Sequence, residues 1–439
     1  MKLSENEIAA GDYQEALDWL FGLEMIGIKL GLKNITELLH RLDDPQKEFR
    51  CVHVAGTKGK GSVSAMLASI LRAQGYHCGL YTSPHLVDFR ERIVVDGKAI
   101  PRKDLVRLTQ LVRASVEEMG RVERASYPTF FEVTTAIAFL YFAERGVQLA
   151  VIEVGMGGRL DATNVIEPEA SVITRLELEH TRYLGATIES IASEKAGIIK
   201  PGTPVVTLSQ NPGTDRVIEE IAAANGSSVD YIGRDVPYTL KEATREGTRV
   251  LLEGPGEVEV PLLGSYQAEN VALAYGAVLA LRRRGVAIGD DAVTLGLKQV
   301  NWPARLELVG RAPFLIFDVT HTPGGAEVVA REVRRLFPGR IILVLGMLDD
   351  KDLNGVAEQF ARISGKAIAT SPHSSRAFSA EKVERALRKH MSEVERRDSV
   401  ADAVRTALLE AKPEDTVLVT GSLYTIGEAK AWWGRHETH

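Results

Sequence analysis

The sequence predicts a protein of two α/β domains. The first is the larger, with a mostly parallel sheet and a small antiparallel side element; the second is smaller. Three observations predict this. Short apolar runs rich in β-branched residues alternate with stretches of helical periodicity along most of the chain. At 439 residues the chain is longer than one hydrophobic core usually covers. The alternation is interrupted at 301–314, "NWPARLELVGRAPF", by two prolines and a change of period. The expected division is therefore 1–301, a linker at 302–312, and 313–439.

The elements follow in order. "YQEALDWLFGLEM" is apolar at helical spacing, "FRCVHVAG" reads as a buried strand, and "GSVSAMLASILRAQG" as a helix ending at Gly75. "HCGLYTS" is the next strand. Helix "TFFEVTTAIAFLYFAERG", strands "VQLAVIEVG" and "ASVITRL", helix "TIESIASEKAGI" and strand "TPVVTLS" continue the pattern. Residues 237–262 alternate polar and apolar positions between glycine turns, as small antiparallel strands do. Two helices at 266–284 and 289–299 close the first part. Beyond the linker come strand "FLIFDVT", a helix from Gly324, strand "RIILVLGML", a helix, strand "KAIATS", two helices and strand "DTVLVTG", a Rossmann-like cycle.

Composition narrows the class. A content of 45% hydrophobic and 26% charged residues with a net charge of -6 suits an ordinary soluble globular protein and advertises no nucleic-acid partner. The basic patch "LRRRG" at 281–285 falls where a helix ends, which suits the helix dipole. Two cysteines, Cys51 and Cys78, in apolar stretches allow neither a disulfide framework nor a C-x-x-C zinc site, and fit a reducing cytoplasm. The amino terminus lacks the apolar core of a signal peptide, and no apolar run approaches the roughly 18 residues of a membrane span. A cytoplasmic protein without a membrane partner is expected.

"HVAGTKGKGSV" at 53–63 carries the first chemistry. It departs from the usual phosphate-loop spelling, because Gly61 separates Lys60 from Ser62. It nevertheless sits between a buried strand and a helix, where a phosphate loop belongs. Gly56, Gly59 and Gly61 let the backbone turn its N–H groups toward phosphate oxygens. Lys60 adds a cation, Ser62 a hydroxyl for Mg²⁺ or phosphate, and Thr57 and Lys58 complete the loop; Lys58 could equally be solvated. The first part thus reads as a P-loop ATPase-type domain. A Mg·ATP site in such a sheet collects ligands at the carboxyl edge. Glu153 ends an apolar strand, where a carboxylate is expensive unless a cation meets it. Ser83 with His85, and His180, end two others; composition alone leaves His180 open between a structural histidine and a ligand.

These stretches, with "IGIKLGL", "GLYTSPHLVDFRERI", "VIEVGMGGRLDATNV", "EKAGIIKPG", "SYQAENVALA", "ARLEL" and "TGSLYTIGEA", closely resemble the folylpolyglutamate synthase and dihydrofolate synthase family of the Mur ligase superfamily. Order and spacing match over nearly the whole chain, and G-T-[NK]-G-K-G-[ST] is that family's phosphate loop. The resemblance implies an ATP-dependent ligase joining L-glutamate to dihydropteroate or a folate through an acyl phosphate. It implies that Lys60 holds the ATP phosphates, that Ser83 and Glu153 hold one Mg²⁺, and that Glu153 and His180 hold a second. Lys195 matches a lysine carried as a carbamate. Asn270 and Arg305 match nucleotide contacts; Asp318 and His321 match the loop that approaches ATP and the amino acid. Ser422 and Arg92 match the glutamate site, and Thr129, Phe130 and Asp161 the pteridine-lining region. A monomer is implied, since the family's site lies between two domains of one chain. Other readings are a Mur-type ligase for a different acid, or a P-loop ATPase without ligase activity.

Three spellings depart from the family pattern. "D-G-A-H-N-P" is "DVTHTP", with Val319 and Thr322; "P-G-R-L-E" is "PARLE"; "G-L-D-H" is "ELEH", placing Glu179 beside His180. If the first glycine served a positive φ, Val319 would be strained there.

Overall fold

The computed structural model describes residues 10–27, 29–122 and 127–436. Residues 1–9, part of the stretch expected to carry no leader, and Ile28 of "IGIKLGL" lie outside the described residues.

Helices α1 (Ala10–Gly22) and α2 (Lys33–His40) precede β1 (Arg50–Ala55), α3 (Lys60–Ala73) and β2 (Cys78–Tyr81). A short hairpin, β3 (Ile93–Val95) and β4 (Lys98–Ala99), leads into α4 (Arg102–Val122) and α5 (Phe130–Glu144). Then follow β5 (Leu149–Glu153), β6 (Ala170–Ile173), α6 (Thr181–Leu184), α7 (Ile188–Ala196), β7 (Val205–Leu208), α8 (Pro212–Ala224) and β8 (Val229–Ile232). These strands form an eight-stranded sheet in the order β4-β3-β2-β5-β1-β6-β7-β8, parallel except at the β3–β4 edge. Strand β1 is buried at every position after Arg50, the continuous apolar run expected of a parallel strand covered on both faces.

A three-stranded antiparallel sheet, β9 (Tyr238–Ala243), β10 (Thr248–Leu252) and β11 (Gly256–Val260), occupies the stretch where the alternating pattern predicted it. Helices α9 (Gln267–Arg283) and α10 (Asp290–Lys298) follow. Residues of α3, α9 and α10 share one core with a face of the large sheet, and residues of α1, α2, α4 and α5 share another with the opposite face.

The second domain is a six-stranded sheet in the order β12-β13-β17-β14-β15-β16. Its elements are β12 (Glu307–Arg311), β13 (Phe314–Phe317), α11 (Pro323–Leu336), β14 (Ile341–Leu345), α12 (Leu353–Ala361), β15 (Lys366–Ala369), α13 (Ala380–Leu387), β16 (Val394–Arg396), α14 (Val400–Glu410), β17 (Thr416–Thr420) and α15 (Leu423–His436). Part of the stretch read as a linker is thus strand β12, paired antiparallel with β13. No described helix is long and apolar enough to cross a membrane.

Contacts away from the sheet edges tie the two parts together. Glu332 on α11 is 2% exposed, and its carboxylate accepts from Ser265 N at 3.1 Å and Ser265 Oγ at 2.6 Å. Arg245 donates to Leu336 O at 2.8 Å and lies over the rings of Phe314 and Phe337. Removing Glu332 would strand the Ser265 donors and the Arg335 guanidinium that also bonds it. Glu332→Ala is expected to lower the free energy of unfolding by about 1–3 kcal/mol, read by urea denaturation; an unchanged midpoint would show that this link adds nothing.

Candidate active site

The sheet order assembles the site. Strands β2, β5, β1 and β6 are neighbours, and the β1–β5 register sets Val54 opposite Glu153. Their carboxyl ends therefore bring together the segments carrying Ser83, Glu153, the Gly56 loop and His180, as expected for a crevice at the carboxyl edge of an α/β sheet.

The loop is braced by the segment that follows β6. Thr57 N and Lys58 N both donate to Arg175 O, at 2.9 and 3.0 Å, and Thr57 Oγ1 donates to Glu177 O at 3.3 Å. Gly56, at φ +146°, could not carry a side chain, because a Cβ would lie 1.8 Å from Thr174 Oγ1. Gly59 opens α3 at φ 92°, and no side chain caps the helix. The first-turn N–H groups of α3 are thus left for an anion, which the helix dipole favours. A Cβ on Gly61 would meet Trp302 Cζ2 at 2.5 Å. The glycine that breaks the usual spelling makes room for an indole from the connection to the second domain. Asn270 on α9 closes the other side, its Oδ1 lying 2.5 Å from where a Gly59 Cβ would be.

Two lysines converge on one carbonyl. Lys60 Nζ donates to Gly56 O at 3.0 Å and Lys195 Nζ, from α7, at 2.8 Å. Lys195 is 5% exposed; burial, reinforced by the charge of Lys60, pushes its ammonium down from 10.5 to about 7. Glu153 is also 5% exposed and accepts from Ser83 N at 3.2 Å. Burial raises its carboxyl although Lys60, Ser83 N–H and Arg305 all favour the ionised form. Glu153 is therefore a carboxylate short of positive charge, and it suits a hard cation. Among the described residues no group of three or more His, Cys, Asp and Glu is arranged to hold a metal ion. Of the two Mg²⁺ ions expected, one would have Ser83 and Glu153 and the other Glu153 and His180, each completed by phosphate oxygens and water, as Mg²⁺ sites commonly are. His180 opens α6 at φ 55°, and burial lowers its imidazolium, partly offset by Glu179.

The departing spellings find physical explanations. Val319 is not at positive φ; the positive angles fall on Ala304 (60°) and Leu306 (48°), on either side of Arg305. The position that demanded a glycine-like backbone is thus Ala304 of "PARLE". It is held by Glu307 Oε2, which accepts Ala304 N at 2.8 Å and is itself paired with Lys430. Asp318, 2% exposed, accepts Leu306 N at 2.9 Å and Thr320 N at 2.8 Å, so it ties the Arg305 segment to the His321 loop. Thr322 is the amino-terminal cap of α11. Glu179 reaches both Lys58 and His321.

Other expected residues surround this centre, and the charges of Asp161 and Arg92 act on Glu153 or are acted on by it. Arg92, 7% exposed, donates to His85 Nδ1 at 2.8 Å and lies over the rings of Phe89 and Phe130. Burial lowers its pKa, and the charge of Tyr424, from the second domain, acts in the opposite sense. Phe21 stacks on Phe130. Thr129 caps α5 in a reciprocal box with Glu132. Asp161 accepts from Met156 N and from Thr163 N and Oγ1, so its carboxylate shapes the glycine-rich loop after β5. Ser422 bonds Thr425 at the start of α15. Residue patterns missed Trp302, Glu307, Lys430 and the bridging role of Glu179; the odd "ELEH" and "PARLE" spellings marked Glu179 and Glu307, and nothing marked Trp302 or Lys430.

A parallel sheet with an uncapped glycine-rich loop at its carboxyl edge, joined to a second α/β domain, is the arrangement of a nucleotide-binding protein, and the family matches make it a Mur-type ligase. The Mur ligase middle domain family matches residues 54–278, and the Mur ligase glutamate ligase domain family matches residues 304–423. The chain is 35% identical to a dihydrofolate synthase/folylpolyglutamate synthase of Bacillus subtilis, covering 95% of this chain and 98% of that one. It is 37% identical to a probable bifunctional folylpolyglutamate synthase/dihydropteroate synthase of Halobacterium salinarum, covering 96% of this chain but only 52% of the relative; the chain spans about half that protein's length. The folylpolyglutamate synthase of Mycobacterium tuberculosis, solved with ADP and AMPPCP, superposes with a TM-score of 0.88 at 32% identity, over 97% of this chain and 99% of that one. The chain belongs to the folylpolyglutamate synthase/dihydrofolate synthase family of Mur ligases.

Lys195 gives a pH-dependent signature. Its folded pKa, about 7, lies below the ordinary 10.5. Between these values the unfolded chain binds the extra proton, so stability rises with pH across that window, and the penalty is fully present below about 7. Lys195→Met is expected to flatten this rise in denaturation curves taken from pH 7 to 10; an unchanged slope would contradict the burial argument.

Proposed function

We propose that the protein is an ATP-dependent ligase that adds L-glutamate to dihydropteroate, to a folate already bearing glutamate, or to both, through an acyl phosphate. The observation that carries this reading is the convergence of Lys60, Lys195 and the uncapped start of α3 on the end of β1, beside the buried carboxylate of Glu153. On this reading 1–301 is the ATP-binding domain, 302–312 the linker and 313–439 the glutamate-ligase domain, and the protein acts as a monomer. The relatives' names and the nucleotides bound to the M. tuberculosis protein support it.

ATP lies with its phosphates on the first-turn N–H groups of α3, within the loop from Gly56 to Ser62. Lys60 meets the β- and γ-phosphates, while Asn270 and Arg305 hold the nucleotide from α9 and from the second domain. The acid lies along Thr129, Phe130 and the Asp161 loop, presenting its carboxylate to the γ-phosphorus. A carboxylate is a poor acyl donor. Its oxygen attacks phosphorus, ADP leaves, and the acyl phosphate forms; Lys60 and Arg305 offset the crowding of negative charge. Glutamate, held by Arg92, Ser422 and His321, presents its amine to the carbonyl. The amine's lone pair forms the amide bond as phosphate leaves with the acyl–oxygen pair, and the amine's proton passes to solvent. Mg²⁺, when bound at Ser83, Glu153 and His180, supplies further charge neutralisation at the phosphates. Closure of the cleft excludes water that would hydrolyse the acyl phosphate.

Lys195 is suited to carbamylation. With its pKa at about 7, a large fraction of the amine is neutral near neutral pH and can attack CO₂, losing a proton to give a carbamate. The carbamate N–H can keep the bond to Gly56 O, while its oxygens add negative charge near Lys60 and the metal site.

Phosphate release from Mg·ATP, with product masses read in parallel, tests the proposal. Release is expected only with L-glutamate and at least one of dihydropteroate or tetrahydrofolate, and the product should be heavier by one glutamyl residue. Turnover with one acid or both tells which ligase the protein is. Release independent of glutamate, or none with either acid despite nucleotide binding, would overturn the assignment.

A further inference from the structure

Glu179 is the residue that departs from the family spelling next to His180, and its contacts reach across the two domains. Its side chain is 16% exposed. Oε1 pairs with Nε2 of His321, in the loop after β13, at 3.1 Å. Oε2 faces Nζ of Lys58, in the phosphate loop, at 3.5 Å. Both partners are anchored from behind. Lys58 N is bonded to Arg175 O at 3.0 Å, and the His321 ring bonds Val319 O through Nδ1 at 3.0 Å. Val319 N in turn bonds Ala304 O at 3.2 Å, and Asp318 ties the same loop to Leu306. One carboxylate thus joins the nucleotide loop of the first domain to the segment that carries Arg305 and His321 in the second.

Reach matters here. Aspartate is shorter by one carbon–carbon bond, about 1.5 Å. With the backbone unmoved it could not hold His321 and Lys58 together, whereas glutamate spans both.

We propose that Glu179 is an interdomain positioning residue: by taking Lys58 from one domain and His321 from the other, it sets the register in which the amino-acid loop is presented to the phosphate loop. The proposal rests on the ligase reading for its kinetic test, but its contacts also predict a readout that needs no turnover. Glu179 touches neither the first turn of α3 nor Asn270, and its one contact with the phosphate loop is the longer one, to Lys58 Nζ at 3.5 Å. Nucleotide binding is therefore expected to depend on it less than placement of His321 does.

The test compares wild type, Glu179→Gln and Glu179→Asp. Glutamine keeps the length and removes the charge; aspartate keeps the charge and shortens the reach. Glu179→Gln is expected to lower kcat/KM for L-glutamate about tenfold or more, equivalent to about 1.4 kcal/mol, while KM for ATP changes by less than about threefold, under roughly 0.7 kcal/mol. Glu179→Asp should recover only part of the loss. Amide hydrogen exchange, which reports local opening, should quicken in residues 319–322 of Glu179→Gln and stay unchanged in α3. A variant equal to wild type in both readouts would overturn the proposal. So would equal losses for ATP and glutamate, or faster exchange throughout both domains. Wild-type turnover separates the two readings: if wild type shows no glutamate-dependent release, the ligase reading fails, and the exchange comparison still decides the role of Glu179.

Discussion

The site depends on one crowded point, the carbonyl of Gly56 at the end of β1, to which Lys60 and Lys195 both donate. Two ammonium groups beside one oxygen, with Lys195 buried, are unfavourable without compensating negative charge. The sheet order meets that need only partly from within, by setting Glu153 on the neighbouring strand. Glu153 and Asp161 are themselves buried and lean toward protonation. The first domain is therefore poised for a polyanion: phosphates on α3, and a divalent cation that reconciles them with Glu153.

The segment that carries Arg305 is tied to the His321 loop by hydrogen bonds to its backbone. Asp318 accepts the amide of Leu306, and Val319 donates to Ala304 O, so Arg305 and His321 move as one unit. Left-handed backbone at Ala304 and Leu306 is a cost accepted to turn Arg305 into position. Trp302, resting on Gly61, and Glu179, between Lys58 and His321, connect this unit to the nucleotide loop at two places. The phosphate loop and the His321 loop are thus physically connected.

Much of this was legible in the sequence. Long runs such as "FRCVHVAG" and "RIILVLGML" announced buried parallel strands, and the alternation at 237–262 announced the small antiparallel sheet. What escaped were elements whose pattern is weak by itself. The hairpin β3–β4 is only a few residues long, and β16 has three. Helix α4 is polar on average, and its stability comes from packing in the core it shares with α1 and α5. Strand β12 was hidden inside a proline-bounded stretch that looked like a linker. At the site, residue type and position pointed to the phosphate loop with Lys60 and to Glu153, whereas Lys195 was singled out only by the family resemblance. The strain expected at Val319 lies instead at Ala304, because a φ angle is a property of the turn and not of the motif. Bridges such as Glu179 to His321 join residues 142 apart in sequence, and no local pattern encodes them.

The central claim is that the acid's carboxylate oxygen attacks the γ-phosphorus before the amine arrives. Following an isotopically labelled oxygen from the acid's carboxylate during turnover with ATP and L-glutamate tests it most directly. Transfer of the label into the released phosphate is the result predicted here. Unlabelled phosphate, formed while the amide product accumulates, would contradict it.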